Sequence, residues 1–417
     1  MAEAAARRAR HPFHLMLKPA GAACNLDCEY CYYLSKQAYY HGSDLRMSEE
    51  TLSRVTDAYL QANPAQEVVF GWQGGEPLLA GLEFFRAAVA LQQRHARPGQ
   101  RVLNALQTNG TLITGKWAEF FAAHHFLVGL SIDGPPELND RYRRDRGGGP
   151  SYARTVRGLR ALQEHGVECN ALATVNRTNV EYPLQVYHHL LGLGFRHLQF
   201  VPVVERQSPN TAHLPQPRGG VTKGGWSKCA LSRKVTPWSV RPEQLGEFLC
   251  VIFDHWTRHD VGEVFVQTFE SALNVWLGRA PTQCVFAQTC GQALAVEHNG
   301  DLYACDHFVY PEYLRGQVTP DTLATLVDGA AQQAFGQAKV ELSEECRHCR
   351  VLLLCGGDCP KHRLRVSAEG KPISYLCPAY RRFFAHSAGV LGAMAAEIRA
   401  GRPADNVMEV LRLGAGG

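Results

Sequence analysis

Cys24-Asn25-Leu26-Asp27-Cys28-Glu29-Tyr30-Cys31 is the stretch on which the reading of the whole chain turns. It follows an apolar run, Phe13–Lys18, that reads as a first strand, so three thiols sit in one loop just past a strand's C-terminal end. A cubane [4Fe–4S] cluster has irons at alternate corners, and three protein thiolates leave one of the four irons open to another ligand. The same logic separates catalytic zinc sites from closed structural ones. Tyr30, immediately before the last thiol, supplies an aromatic face suited to an adenine. The competing reading is a partial zinc site. That calls for four ligands in paired CxxC spacings, and no other cysteine lies near in sequence.

Outward from the triplet, β-type runs alternate with amphipathic stretches. Strands are expected at Phe13–Lys18, Glu67–Gln73, Val102–Gln107, Leu127–Ile132, Glu168–Val175 and His197–Val203. Helices are expected at Ser48–Gln61, Leu79–Arg94, Thr114–His124, Tyr152–His165 and Val180–Leu191, with Ser48 as an N-cap and Glu49 and Glu50 in the first turn. Strict alternation predicts an α/β fold with a parallel sheet, and six units fall short of the eight in a closed barrel. Periodicity leaves a partial barrel and an open sheet both standing. The Gly-, Pro- and Ser-rich stretch 205–241 breaks the pattern and reads as an insertion or linker. A helix is expected from Pro242 to about Arg258, a loop-like cysteine-rich region from Cys284, and a terminal helix over Ala379–Ala400.

With 417 residues, 45% apolar and 20% charged, the chain has the composition of a soluble globular protein with a sizeable core. A net charge of only +4 gives no argument for nucleic acid, and no apolar stretch has the length of a membrane span. Met1–Arg10 is basic without a following signal-peptide core, so the expected setting is the cytoplasm. Fourteen cysteines grouped at both ends then favour metal or cluster ligation over disulfides.

The Cys24-x3-Cys28-x2-Cys31 spacing resembles the signature of radical S-adenosylmethionine (SAM) enzymes. The resemblance implies a partial (β/α)6 barrel over 12–260, preceded by a disordered tail, 1–11, and a [4Fe–4S] cluster whose open iron is chelated by SAM. Cleavage of SAM then yields a 5′-deoxyadenosyl radical. Gln73-Gly74-Gly75-Glu76-Pro77 resembles the segment that holds the SAM amino group, which assigns that contact to Gly75. By the same resemblance Tyr30 and Val204 pack against the adenine, and Ser131 bonds the carboxylate or ribose. Arg143 pairs with the carboxylate, or else is one solvated charge within Arg141–Arg146.

Cys284, Cys290, Cys305, Cys346, Cys349, Cys355, Cys359 and Cys377 make two complete sets of four, enough for two fully ligated clusters or two structural zinc ions. Their arrangement resembles the SPASM extension of peptide-modifying radical SAM enzymes. That likeness implies a domain over 261–417 with two auxiliary clusters: Cys284, Cys290, Cys305 and Cys359 hold one, Cys346, Cys349, Cys355 and Cys377 the other, giving three [4Fe–4S] clusters in all. Cys169, Cys229 and Cys250 are read as ordinary thiols, and His124-His125 and His188-His189 as surface residues.

Lys18-Pro19-Ala20, Phe70–Pro77, Leu106–Leu112, Val128–Pro135 and Asp306 are similar to the anaerobic sulfatase-maturating enzymes. Those oxidise a cysteine or serine of a nascent sulfatase to Cα-formylglycine. The likeness implies Asp306 as the catalytic base, an unfolded sulfatase polypeptide as partner, and a low-potential electron donor such as flavodoxin or ferredoxin. The alternatives are a thioether-forming SPASM maturase, which often carries an N-terminal recognition domain ahead of the triplet, and a zinc-bound scaffold without catalysis.

Overall fold

The computed structural model describes residues 8–40, 44–207, 221, 222, 225, 226 and 234–413. Its first half alternates β1 (His14–Leu17), α1 (Glu49–Ala62), β2 (Glu67–Trp72), α2 (Leu82–His95), β3 (Arg101–Thr108), α3 (Gly115–Ala123) and β4 (Leu127–Ser131). It continues through α4 (Pro136–Asn139), α5 (Tyr152–Glu164), β5 (Cys169–Val175), α6 (Pro183–Gly192) and β6 (His197–Pro202). All six expected strands and the five long helices between them are present. Local chemistry explains the boundaries: Ser48 Oγ accepts the Thr51 N–H at 3.1 Å, and Glu49 and Glu50 occupy the first turn of α1.

The strands form one open sheet in the order β12-β11-β10-β1-β2-β3-β4-β5-β6-β9. Pairing is parallel throughout β1 to β6, with Leu15 opposite Phe70 and Trp72 opposite Leu106. Parallel pairing brings all six C-terminal strand ends to one edge, and the loops that follow them share one mouth. Behind it Trp72, Phe85, Trp117, Phe121 and Phe126 are buried between sheet and helices, Phe85 meeting Trp72 and Trp117 edge to face and Trp117 stacking on Phe121. Each such side chain contributes about 1.5–3 kcal/mol of burial.

After the two-residue strands β7 (Val221–Thr222) and β8 (Gly225–Trp226), α7 (Pro242–His259) leads into β9 (Phe265–Val266) and α8 (Gln267–Trp276). Then come β10 (Ala293–Val296), β11 (Asp301–Tyr303) and β12 (Leu314–Gln317), with α9 to α12 at Leu323–Val327, Ala330–Gln337, Glu344–Arg347 and Leu352–Cys355. A small hairpin, β13 (Arg365–Val366) and β14 (Pro372–Ile373), precedes α13 (Cys377–Arg399) and α14 (Asn406–Leu413).

The region after Cys284 is therefore not simply loop-like. β10 pairs parallel with β1, His14 opposite Ala293, and β11 and β12 follow antiparallel. On the far edge β9 pairs with β6. The sheet thus runs across the boundary expected at 260, and Phe383 of α13 packs on Phe253 of α7 and Phe269 of α8. These runs are too short to carry a periodic signal. Only an exposed edge of β1 needing a partner reveals them.

At the N-terminus the disordered tail expected over 1–11 gives way from residue 8. Ala9 is buried, its N–H bonds the Ala62 carbonyl at 2.9 Å, and the Arg10 N–H meets the Asp328 carboxylate. Residues 1–7 and most of the 205–241 insertion, Cys229 included, lie outside the described residues. Among the described residues no helix is long and apolar enough to cross a membrane.

Candidate active site

The triplet loop starts where β1 ends and folds back onto the β2 exit. Gly75 N–H donates to Gly21 O and Glu76 N–H to Ala23 O, both at 2.8 Å. A Cβ on Gly75 would lie 2.0 Å from Ala23 O, so only glycine admits this approach. Glu76 is fully buried; its carboxylate accepts from Thr108 Oγ1 (2.7 Å), Asn109 N (2.9 Å) and Leu78 N (3.1 Å). Burial still pushes it up to about 7, against those donors. Asn109 Nδ2 in turn donates to Asn25 Oδ1 at 2.9 Å and points at Cys24 Sγ, 3.7 Å away. The turn Gln107–Gly110 thus supports the cysteine loop from behind.

Cys24, Cys28 and Cys31 are unbridged and half-buried, and a charge on any one is felt by its neighbours. Burial pushes the Cys24 thiol up to about 12, with Glu76 adding to the rise. Such thiols ionise readily only beside a strong cation, which is what coordination to iron provides. Among the described residues no three His, Cys, Asp or Glu side chains are placed to hold a single metal ion. Three thiols from one loop leave a cubane cluster with an open iron, whereas structural zinc closes its shell with a fourth ligand.

The eight C-terminal thiols divide into two neighbourhoods. Cys305 feels Cys359 and Cys284, while Cys290 feels Cys284 and lies within reach of Cys359. Cys355 feels Cys377 and Cys346, and Cys377 feels Cys346 and Cys349. The thiols that the SPASM resemblance assigns to each auxiliary cluster thus lie close enough to feel one another.

The SAM-contact candidates are more varied. Ser131 ends β4 and accepts from Gln107 Nε2 at 3.0 Å. Tyr30 is buried with Tyr142 and Val203 and donates its hydroxyl to Asp133. Arg143 is not a solvated charge: it is buried, its Nε 3.1 Å from Asp133 and an NH2 donating to Thr174 Oγ1 at 3.1 Å. Asp133 therefore already neutralises it. Val204 is buried in the main core, whereas its neighbour Val203 is the one beside Tyr30. Of the histidine pairs, His124, His125 and His188 are exposed; His189 is half-buried and meets the Tyr152 hydroxyl at 2.8 Å.

Asp306 opens a short turn right after Cys305 and faces back toward the barrel. Fully buried Lys18, the first residue after β1, donates to its Oδ1, and Tyr32, just past the triplet, donates to its Oδ2. Burial alone would raise the Asp306 carboxyl; the Lys18 ammonium, His307 and the two hydrogen bonds outweigh it and hold the group below the usual carboxylate range. Burial, then the Asp306 charge, raises Tyr32 well above the ordinary phenol value, so it remains a donor. His307 is pushed down to about 3 by burial and by Lys361, and its Nδ1 lies 3.5 Å from Cys359 Sγ. Lys361 pairs with Glu205 and stands over the Tyr32 ring at 4.2 Å. Lys18 and Glu76 lie in stretches that carry the family resemblance but take no role from it, and Tyr32 and Lys361 belong to no motif. For Tyr32 and Lys361, nearness in sequence to the triplet and to Cys359 is the signal that could have marked them.

A half-barrel whose mouth holds a three-thiol loop, joined to a domain with two groups of four thiols, is the build of a radical SAM protein with an iron–sulfur extension. The radical SAM superfamily model matches residues 19–190, and the SPASM iron–sulfur cluster-binding domain matches 284–350. A serine-type anaerobic sulfatase-maturating enzyme from Bacteroides thetaiotaomicron is 41% identical over 97% of this chain and 96% of its own length. A cysteine-type counterpart from Clostridium perfringens is 30% identical over 90% and 96%. A solved structure described as native anSMEcpe with bound AdoMet and Cp18Cys peptide superimposes with a TM-score of 0.80 at 29% identity, over 93% of this chain and 99% of that one. The chain belongs to the anaerobic sulfatase-maturating enzymes.

Proposed function

We propose that this protein oxidises a cysteine or serine of a sulfatase polypeptide to Cα-formylglycine, with Asp306 as the base. The observation that carries the reading is an ionised carboxylate held between the barrel, through Lys18 and Tyr32, and the C-terminal domain, through Cys305. Cys24, Cys28 and Cys31 would hold the cluster that binds SAM, and the two groups of four the auxiliary clusters. When bound, these groups supply the radical that removes a Cβ hydrogen and the acceptors for the electron left behind.

The chain's own residues manage the proton. Loss of the Cβ hydrogen leaves a thiol or hydroxyl that must give up its proton as the C=S or C=O bond forms. A C=S product then reacts with water to give the aldehyde and release sulfide. Asp306 is already ionised and rigidly held, the state a general base requires. Lys18 and Tyr32 fix its two oxygens and keep it charged. Gly75 and Ser131, at the ends of β2 and β4, would meet the SAM amino group and its carboxylate or ribose, and Tyr30 lies on the same side. Arg143, already paired with Asp133, supports this face indirectly by holding Tyr30's acceptor in place.

The first cluster's electron comes from a low-potential donor of the flavodoxin or ferredoxin type. The setting is the cytoplasm, with neither nucleic acid nor membrane as partner, in keeping with the modest net charge. Anaerobic incubation with SAM, reductant and synthetic sulfatase peptides carrying Cys-x-Pro-x-Arg or its serine counterpart should convert one or both to formylglycine by mass spectrometry. Deoxyadenosine formation with no peptide aldehyde overturns the reading in favour of another modification.

A further inference from the structure

Asp358 has no part in the proton step above. It lies in Cys355-Gly356-Gly357-Asp358-Cys359, between a thiol of one group of four and a thiol of the other. It is fully buried and adopts φ +57°, a conformation that residues with a Cβ enter at a cost. Its carboxylate accepts from Ser374 Oγ at 2.6 Å and sits 3.1 Å from His362 Nδ1. Its own N–H bonds the Cys355 carbonyl at 3.0 Å. Ser374 Oγ also accepts the Leu376 N–H (3.0 Å), and its carbonyl takes the Cys377 N–H (3.3 Å).

One carboxylate therefore ties the turn bearing Cys355 and Cys359 to the start of α13 bearing Cys377. Its charge reaches both groups: it bears on Cys359 and Cys284 of the first and on Cys355 of the second. The nearby guanidinium of Arg363 spends its donors on the Gly357, Lys339 and Glu341 carbonyls (3.1, 2.8 and 3.5 Å), so it does not pair with Asp358. Reduction adds an electron to a cluster, and a buried anion close by opposes that the more strongly the lower the local dielectric.

We propose that Asp358 is a fixed negative charge between the two auxiliary clusters that holds both reduction potentials down. The inference rests on the reading of the two groups of four as cluster ligands, and not on the identity of the peptide. Asp358 touches neither substrate nor reacting atoms; it acts through the clusters.

The test is an EPR-monitored redox titration of the reconstituted full chain without peptide, so its outcome is independent of formylglycine formation. Asp358→Asn should load all three clusters and move both auxiliary potentials upward. The expected size is about a tenfold change in the reduced-to-oxidised ratio at fixed poise, roughly 59 mV for one electron. The potential of the cluster on the triplet should stay put. Ser374→Ala keeps the charge but removes a donor that damps it, so it should move the auxiliary potentials downward. A purely structural role has no reason to produce opposite signs. Unmoved auxiliary potentials in Asp358→Asn overturn the proposal; should that variant fail to load its clusters, Ser374→Ala decides alone, a downward shift supporting the idea and no shift overturning it.

Discussion

Gly75→Ala should disable SAM cleavage while leaving the C-terminal domain intact. A Cβ there would stand 2.0 Å from Ala23 O, 2.5 Å from its carbonyl carbon and 2.7 Å from Ala22 C, all of them backbone atoms. Ordinary C···O contact begins near about 3.3 Å, so the triplet loop and the β2 exit must part by more than about 1 Å. No side-chain rotation relieves this. The same movement stretches the Gly75–Gly21 and Glu76–Ala23 hydrogen bonds. Leaving two buried donors unmet costs about 1–3 kcal/mol each, and overpacking adds about 1–3 kcal/mol. The total, about 3–9 kcal/mol, approaches a domain's whole stability of about 5–15 kcal/mol. The strain is better relieved by displacing the loop than by unfolding the sheet, and a 1 Å misplacement is worth roughly 10²-fold in rate. Deoxyadenosine production, measured anaerobically beside iron content and auxiliary-cluster EPR, should fall by about that factor, with up to about one third of the iron lost. Deoxyadenosine formation within about threefold of the parent would refute the argument.

Three further outcomes are expected. Asp306→Asn should keep SAM cleavage but lower aldehyde yield by roughly 10²–10⁴-fold, the usual weight of a general base; undiminished yield removes it from that role. Lys18→Met leaves burial to dominate at Asp306, so its pKa rises and the acid limb of the aldehyde-forming pH profile moves to higher pH. In the parent, that ion pair's stabilisation is present above the ordinary carboxylate pKa and fades as pH falls through the depressed one; an unshifted limb in Lys18→Met counts against the pairing. Glu76 behaves oppositely: its folded pKa is raised from 4.5 to about 7, so its contribution is greatest below 4.5 and is lost as pH rises through about 7. Melting temperature should therefore fall more steeply across that window in the parent than in Glu76→Gln, and parallel curves would contradict it.

Much of this architecture was legible without coordinates because it rests on local repetition. Six β–α units announce themselves by period, and the Ser48 cap by residue type. The triplet and the eight later cysteines are rare residues at set spacings. The edge strands β10–β12 were not legible, because runs of three or four residues carry no period and exist only by pairing with β1. Nor was the state of Arg143, whose neighbours in sequence are solvated arginines; its partner Asp133 stands at the start of the same β4–α5 connection, and only the way that segment folds brings the two together.

The opening triplet shows the division. Covalent spacing alone placed Cys24, Cys28 and Cys31 in one loop, because residues so close in the chain cannot be far apart in space. Family resemblance, not spacing, singled out Asp306, the residue directly after Cys305. What holds that carboxylate ionised was decided in three dimensions, where Lys18 and Tyr32 arrive from nearly three hundred residues away. Electrostatic state depends on through-space neighbours and burial, and neither is written in the order of residues.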